Sequence, residues 1–466
     1  MTRQSNTYDS DQALQAHLDR ILTVFQGMGV KRVFYKALAP NDNSKNQVYL
    51  AGNLNEVNWL PSHNLIASSS DSQKKVGSNI KYTKELNFVW VDCNGYRMDA
   101  PKTKVIYYPQ YPEVRLSGFL QGSEVGMEGW MNPEKSGRSP NRFLIMGVND
   151  ADTVFGYLAV PSSSIAKEIL TYPQRKTDNA IYQLLINFNS TIVATPTLDS
   201  RKLLLAELTR IHRKGFIDGK KLRHDLTSTP YMAPNGGGFT LEAELGIVPN
   251  GNALPDFHGW EIKQFGVQAW RPNYSKAITL LTPEPDAGEY ANNDLEFFLK
   301  KYGYAHPTKL DRWDFNGTHR YNREHSKTQL TLRIDGFDTF SKKITKADGR
   351  ISFVAKNGVE AASWTFPKLM EHWTTKHSKA AYIPSIKKAG ANGNMSYHFG
   401  SKLKLFEGTN FEVFLAGFVE DLLYLDPAHK VEHMSTTRKP KKKRNQFRVK
   451  WRDLSKLYLT ETDVTL

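Results

Sequence analysis

The sequence predicts an α+β chain of two domains, a mostly β first part and a mixed α/β second part. Three observations support this. Residues 1 to about 185 carry short runs rich in β-branched and aromatic residues. A polar, proline-containing stretch at 189–200 (NSTIVATPTLDS) interrupts them, and the remainder mixes helix-period with strand-period segments.

In chain order, a helix is expected near residues 12–28. Strands follow at 32–36 (RVFYK), 47–50 (QVYL), 88–91 (FVWV), 104–108 (KVIYY) and 142–146 (RFLIM). Helical segments near 164–187 are expected to close the first domain. The resulting division is 1–185, a linker at 186–199, and a second domain at 200–466.

The 466 residues allow an ample core in each part, and 62 Lys+Arg against 47 Asp+Glu leave a net charge of +15. Such an excess favours a polyanionic partner and argues little about fold. No run of eighteen apolar residues occurs, and the start, MTRQSNTYDSDQ, lacks an apolar signal segment. A soluble, cytoplasmic protein without a membrane partner is therefore expected. Cys93 is the single cysteine, which excludes an intrachain disulfide and a cysteine-based zinc site.

Residues 252–263, NALPDFHGWEIK, carry the most chemistry. A strand through 260–263 sends Glu261 and Lys263 to one face and Ile262 to the other, and Asp256 at the preceding turn can meet them. Two carboxylates plus the Ile262 carbonyl make a hard-oxygen cradle for Mg²⁺, and an ammonium beside them can orient a water for attack on a phosphodiester. Alone, this pattern recurs by chance in many folds. Upstream, residues 235–246 (NGGGFTLEAELG) read as a glycine turn before a short helix that Thr240 could cap, although Ala243 rules out a capping box. Gly236, Gly237 and Gly238 suit either a close backbone approach to a chain or phosphate, or a flexible loop.

Taken together, GGGFTLEAELGIVPNGNALPDFHGWEIK resembles the catalytic core of the MvaI/BcnI family of type II restriction endonucleases, within the wider PD-(D/E)XK nucleases. The resemblance implies an α/β PD-(D/E)XK fold for the second domain, with Asp256 and Glu261 for metal and Lys263 for the attacking water. Glu242 is either a further acidic contributor or a solvent-facing helix residue. It further implies Mg²⁺, double-stranded DNA, a CC-x-GG type site such as CCWGG, action as a monomer, and a cognate DNA methyltransferase in the host.

The first domain has a resemblance of its own. Residues 38–42 (LAPND) with Gln47, then 106–108 (IYY), Arg115-Leu116, Gly118-Phe119, Gly122, Asn132-Pro133-Glu134 and Gly137, follow the order of the EcoRII-type effector DNA-binding domain, a B3-like pseudobarrel. That fold grips the major groove with two strand-loop arms. Asn41, Asp42, Lys45, Asn46 and Gln47 would form one, and Arg115 with its neighbours the other. Asn and Gln read adenine, Arg reads guanine and Asp accepts from cytosine. By composition alone, residues 41–44 read equally as a hairpin turn. The joint arrangement implies a type IIE enzyme, binding effector and substrate copies of DNA.

Beyond the motif, residues 267–282 suggest a strand pair, and 292–302 an amphipathic helix with Leu295, Phe298 and Leu299 inward. A further helix is expected at 367–382, with proline in its first turn, Trp373 in the core, and Lys376 and His377 open to phosphate contact or a structural role. Residues 429–433 (HKVEH) match the inverted zinc-peptidase pattern, which requires both histidines on one helix. Asp426-Pro427 before and Lys439-Pro440 after leave a long helix no room.

A DNA-contacting hairpin suits this region better. Residues 421–426 end a strand, and 438–452 hold nine basic residues and no acidic one. A nuclear-localisation-like run or a solvated tail has similar composition, but Phe447, Val449 and Trp451 alternate as in a strand. Arg444-Asn445 followed by Phe447-Arg448 resembles the family's base-reading element, without its usual His-Gly. Asp426, His429, Lys441, Lys442, Arg444, Asn445 and Arg448 are thus expected at DNA. A non-catalytic DNA-binding regulator on a nuclease scaffold is one alternative, and a methyl-directed or repair nicking endonuclease is another. The intact Asp256, Glu261 and Lys263 set favours a nuclease.

Overall fold

A computed structural model describes residues 8–39, 47–61, 65–69, 80–110, 113–123, 128–132, 134–172, 181–185, 195–196, 200–223, 225–233, 235–249, 255–270, 276–389, 394–437 and 439–466. The chain divides into two compact units, residues 1–66 with 81–203, and residues 67–80 with 204–466.

In the first unit the apolar runs become strands. One sheet orders Thr195–Pro196, Ile181–Leu185, Val30–Leu38, Arg142–Asn149, Thr153–Ala159, Asn87–Val91 and Arg97–Asp99. Its neighbours are antiparallel except for the parallel pair Thr153–Ala159 with Asn87–Val91. A second sheet orders Val48–Ala51, Glu113–Ser117, Lys104–Tyr108, Ile80–Glu85 and Ile66–Ser69. Arg142, at the start of its strand, is buried with its guanidinium donating to the carbonyls of Ser139, Trp130 and Ala39, each at 2.8 Å.

Two expectations for this unit change. The helix near 12–28 is two, Asp11–Gln15 and Leu18–Gly27, because Ala16 and His17 are extended. Among the described residues of 164–187, only Ser164–Leu170 is helical, and Ile181–Leu185 is a strand between Val30–Leu38 and Thr195–Pro196 in the first sheet. The run Ile-Tyr-Gln-Leu-Leu offers too few residues to separate the two periods.

The second unit is built on a mixed sheet. The long strand Lys379–Ala389 pairs along one edge with Lys402–Glu407 and then Met395–Phe399, both antiparallel. Glu261–Val267 runs parallel to it, with Glu261 opposite Ala380 and Val267 opposite Ile386. Helix Ser200–Arg213 packs Leu204, Leu208 and Ile211, one face at i, i+4, i+7, into a core with Leu241, Trp260, Ile262, Ala381, Ile383 and Leu405. Arg210 and Arg213 sit in its last turn, where cations suit the helix dipole. Smaller sheets join Ala277–Leu281, Phe447–Lys450 and Leu423–Leu425, and also Tyr304–Ala305, Arg312–Asn316, Ala428–Glu432 and Lys441–Lys442. No helix among the described residues is long and apolar enough to cross a membrane.

Three expectations for this unit are corrected. Among the described residues, 267–282 give no strand pair: Ala277–Leu281 pairs with Phe447–Lys450 in a separate sheet. The helix expected at 367–382 is Phe366–Lys376, and the chain then enters the strand Lys379–Ala389. The segment 292–302 is not one helix: Asn292 ends the short helix Glu289–Asn292, and a second runs over Leu295–Tyr302, where Asp294 caps by accepting from Phe297 N at 2.8 Å. Leu295, Phe298 and Leu299 face inward as expected.

Candidate active site

The site begins with a tight turn. Phe257 and Trp260 exchange backbone hydrogen bonds of 2.9 and 2.8 Å around His258 (φ 44°) and Gly259 (φ 86°). Two successive positive φ values reverse the chain in the hand that strands prefer, and His258 carries the backbone strain. Asp256 is thereby folded onto the strand it precedes, and its Oδ2 accepts from Ile262 N at 2.9 Å. On the strand, Glu261 and Lys263 share one face, joined by an ion pair from Lys263 Nζ to Glu261 Oε1 of 2.6 Å, while Ile262 enters the core on the other.

The helix before the turn differs from the expectation. It spans Gly236–Glu244, so the three glycines form its first turn, and Thr240 lies inside it, donating to Gly236 O at 2.7 Å instead of capping. A Cβ on Gly237 would stand 2.9 Å from the Gln264 side chain, so the absent side chain lets the helix lie close against the active strand. Half-buried Glu242 on this helix is raised above the usual carboxylate range by burial and then by the charge of Glu261, with Lys263 and Lys376 opposing.

The two carboxyls are driven apart. Burial, then the neighbouring charge of Glu261, pushes Asp256 up to about 7. Burial also opposes ionisation of Glu261, but Lys263 and Lys376 outweigh it and hold that group below the usual range. Burial works against charge on Lys263 too, yet Glu261 prevails and the ammonium is held more tightly than usual. Glu261 Oε2 is buried and, among the described residues, has no hydrogen-bond partner. An unpaired oxygen on an ionised, buried carboxylate is costly unless a cation takes it. Among the described residues no group of three or more His, Cys, Asp or Glu side chains gathers to hold a metal. A hard cation here would rest on the carboxylates of Asp256 and Glu261, with the Ile262 carbonyl and water completing its shell, and the donor set fits.

Behind these groups lie residues that sequence reasoning placed differently or missed. Trp373 is core as expected, and His377 is fully buried, stacked on it at 4.4 Å. His377 Nδ1 lies 2.8 Å from the Tyr458 hydroxyl and Nε2 3.2 Å from Leu280 O, so in this structure it touches protein and not solvent. Lys376 instead bears on Asp256, Glu261 and Glu242 electrostatically. Tyr382 and Tyr458 went unnoticed because buried aromatics carry no sequence mark that separates site from core.

The basic hairpin is ordered and its residues part company. Residues 428–432 form a strand, which rules out the zinc-peptidase helix. Arg444 and Lys442 are exposed, and Lys441 pairs with Asp294 at 3.3 Å. Arg448 is tied to Asp426 at 2.5 Å. His429 and Asn445, expected at DNA, are buried against each other: Arg444 N donates to His429 Nδ1 at 3.3 Å, and His429 Nε2 donates to Asn445 Oδ1 at 2.9 Å. They brace the loop that presents Arg444. In the first unit, Arg115 donates to Gln47 Oε1 at 2.9 Å and pairs with Glu113. Asn41, Asp42, Lys45 and Asn46 lie outside the described residues.

Three buried histidines imply a pH dependence. Burial lowers His429 to about 4 and His319 and His377 to about 3. An unfolded histidine near 6.5 binds a proton that the folded form refuses, so stability is full above pH ~6.5 and falls as pH drops toward 4. The expected loss is about 1.4 kcal/mol per pH unit for each. Urea midpoints between pH 7 and 5 measure it. A midpoint independent of pH, or an unchanged slope in His319→Gln, would contradict the assignment.

The chain belongs to the MvaI/BcnI restriction endonuclease family, whose profile matches residues 205–458. It is accordingly a type II restriction endonuclease, an enzyme that cleaves DNA. Among solved structures it is similar to restriction endonuclease MvaI in complex with cognate DNA substrate, at 19% identity and TM-score 0.42, covering 57% of this chain and 99% of that one. It is also similar to MvaI in the absence of DNA, at 17% identity and TM-score 0.31, covering 58% and 100%. No curated protein sequence matches the chain.

Proposed function

We propose that the chain is a type IIE enzyme that hydrolyses double-stranded DNA in a Mg²⁺-dependent reaction at a CC-x-GG type site such as CCWGG. The observation that carries the chemistry is the pair Asp256 and Glu261 beside Lys263, with Glu261 Oε2 buried and unpartnered. Asp256, Glu261 and the Ile262 carbonyl would hold the ion, which when bound supplies positive charge at the phosphate under attack. Lys263 is held as an ammonium, so its Nζ acts as a donor. It orients the attacking water and steadies charge growing on the phosphate, and the buried ring of Tyr382, its partner in the parallel ladder, strengthens both effects.

Residues 200–466 form the nuclease domain in this reading, and 1–185 a B3-like effector domain joined through 186–199, an arrangement similar to the type IIE enzyme UbaLAI. The mostly β first unit and the Arg115–Gln47 contact support it. The enzyme works as a cytoplasmic monomer alongside a cognate methyltransferase. A plasmid with two sites should be cut faster than one with a single site, because DNA at the effector domain shifts the population competent at the other. Equal rates, unaffected by a short cognate duplex in trans, would remove the effector assignment.

Exposed Arg444 is the base reader in this reading, and Lys442 a phosphate contact. Arg444→Ala should cost about 1–3 kcal/mol of cognate binding and relax preference at one base pair, whereas Lys442→Ala should weaken all sequences alike and lower the salt slope by ~1. Filter binding on cognate and random duplexes from 50 to 200 mM salt, roughly the range in which counterion release dominates, separates the two. Identical losses on both DNAs for Arg444→Ala would limit the hairpin to phosphate.

A further inference from the structure

Lys263 and Tyr382 are direct partners in the parallel ladder between Glu261–Val267 and Lys379–Ala389. Side chains so paired rise from the same face of a sheet on strands about 4.8 Å apart. Tyr382 is fully buried; its hydroxyl has a side-chain hydrogen-bond interaction with Tyr458 and feels the charges of Lys263 and Glu261, although among the described residues no partner meets it in good hydrogen-bond geometry. Glu261 Oε2 is buried and unpartnered at the same site. A buried hydroxyl has lone pairs beyond its one proton, and leaving them unmet is a cost that an ammonium on the same face can remove.

The groups behind Tyr382 settle which way its proton points. Leu280 O can only accept, so His377 Nε2, 3.2 Å away, carries the imidazole proton. Nδ1 is then a lone pair and receives the Tyr458 hydroxyl proton at 2.8 Å. With its proton committed to His377, Tyr458 Oη turns lone pairs toward Tyr382, whose O–H can donate only in that direction. Lone pairs of Tyr382 Oη remain for Lys263. The rings are clamped: Tyr382 lies edge-on to Phe406 at 5.4 Å and Trp451 at 6.0 Å, Tyr458 packs on Phe406 at 5.1 Å, and His377 stacks on Trp373 at 4.4 Å.

An ammonium has three donors. One is committed to Glu261 Oε1, at 2.6 Å. We propose that Tyr382, set by Tyr458 and His377, is the positioning residue that accepts a second donor from Lys263 when Glu261 turns its oxygens to other work, leaving the third aimed at the reacting phosphate or water. The proposal rests on the assignment of Lys263 to the active site.

Tyr382→Phe and Tyr458→Phe keep the rings and remove only the hydroxyls. Three readouts apply to the full chain: single-turnover cleavage with Mg²⁺, DNA affinity with Ca²⁺, and acylation of Lys263 Nζ by an amine reagent in the Ca²⁺-loaded protein, where Glu261 is engaged by the ion, followed against pH by mass spectrometry. Tyr382→Phe should slow cleavage roughly 10–100-fold with affinity within about twofold, as expected for a misplaced reacting group. The Lys263 labelling midpoint should fall to lower pH, because losing an acceptor favours the neutral amine. Tyr458→Phe should shift both in the same direction by less. If Tyr382→Phe changes neither rate nor midpoint while Lys263→Ala abolishes cleavage, the proposal is overturned. A lost rate with an unmoved midpoint assigns Tyr382 to packing alone and also overturns it. Wild-type cleavage by Lys263→Ala would instead remove the active-site assignment, and the midpoint in Tyr382→Phe still reports whether the two residues meet.

Discussion

Replacing Asp256 or Glu261 by alanine is expected to abolish DNA cleavage while sequence-specific binding survives. Each change removes one of the two carboxylates that can hold a cation, and neither removes a group on the basic hairpin. A loss of roughly 10³-fold or more in single-turnover rate is expected when the charge that stabilises the transition state goes. The two variants should differ in stability. Glu261→Ala leaves the Lys263 ammonium without the partner it holds at 2.6 Å, which for a buried pair costs about 3–5 kcal/mol, so Glu261→Gln is the safer variant for kinetics. Asp256→Ala removes a repulsive neighbour of Glu261 but also the acceptor of Ile262 N, a loss of about 1–3 kcal/mol that should leave the fold intact. Cleavage is read with Mg²⁺ and binding by gel shift with Ca²⁺. Normal cutting by either variant would displace the catalytic assignment.

Arg142→Met is expected to give the largest effect in the first unit. The guanidinium is buried without a carboxylate among its described partners, and three carbonyls depend on it at 2.8 Å each. Burial accordingly lowers its pKa to about 10. Methionine fills much of the volume but donates nothing, and the stranded carbonyls should cost about 3–5 kcal/mol in total. Thermal unfolding should show the transition of the first unit moving down while that of the nuclease unit stays in place. If the effector reading is right, stimulation by DNA in trans is lost and basal cleavage is retained. An unshifted unfolding curve would mean that water replaces the guanidinium without penalty.

Much of this was readable from local patterns. The strands at Val30–Leu38, Asn87–Val91, Lys104–Tyr108 and Arg142–Asn149 follow from β-branched and aromatic runs, and the strand through Phe447 and Val449 from alternation. Patterns failed where two periods fit one segment. The run after Trp373 reads as helix through Tyr382, but the helix ends at Lys376 with His377 as its C-cap, and the Ala-Ala-Tyr-Ile that follows is buried in a strand. The glycines at 236–238 suggested a loop, although they serve a helix that must lie close to Gln264. The site divides in the same way. Asp256, Glu261 and Lys263 are legible because a turn and a two-residue alternation suffice to bring them together. Tyr382, Tyr458 and His377 reach that place through long-range pairing, which a single sequence does not display. Arg142 was read as the start of a strand, and nothing local announced three carbonyls waiting for it.

The central claim is that this chain cuts DNA at a defined sequence through Asp256, Glu261 and Lys263. Its most direct test is to incubate the full-length chain and Glu261→Gln with unmethylated DNA of known sequence, with and without Mg²⁺, and to map every new end by sequencing. The account predicts ends only with the metal, only from the unaltered chain, and all at one short CC-x-GG type site. Ends scattered without a common sequence, or made equally by Glu261→Gln, would contradict it.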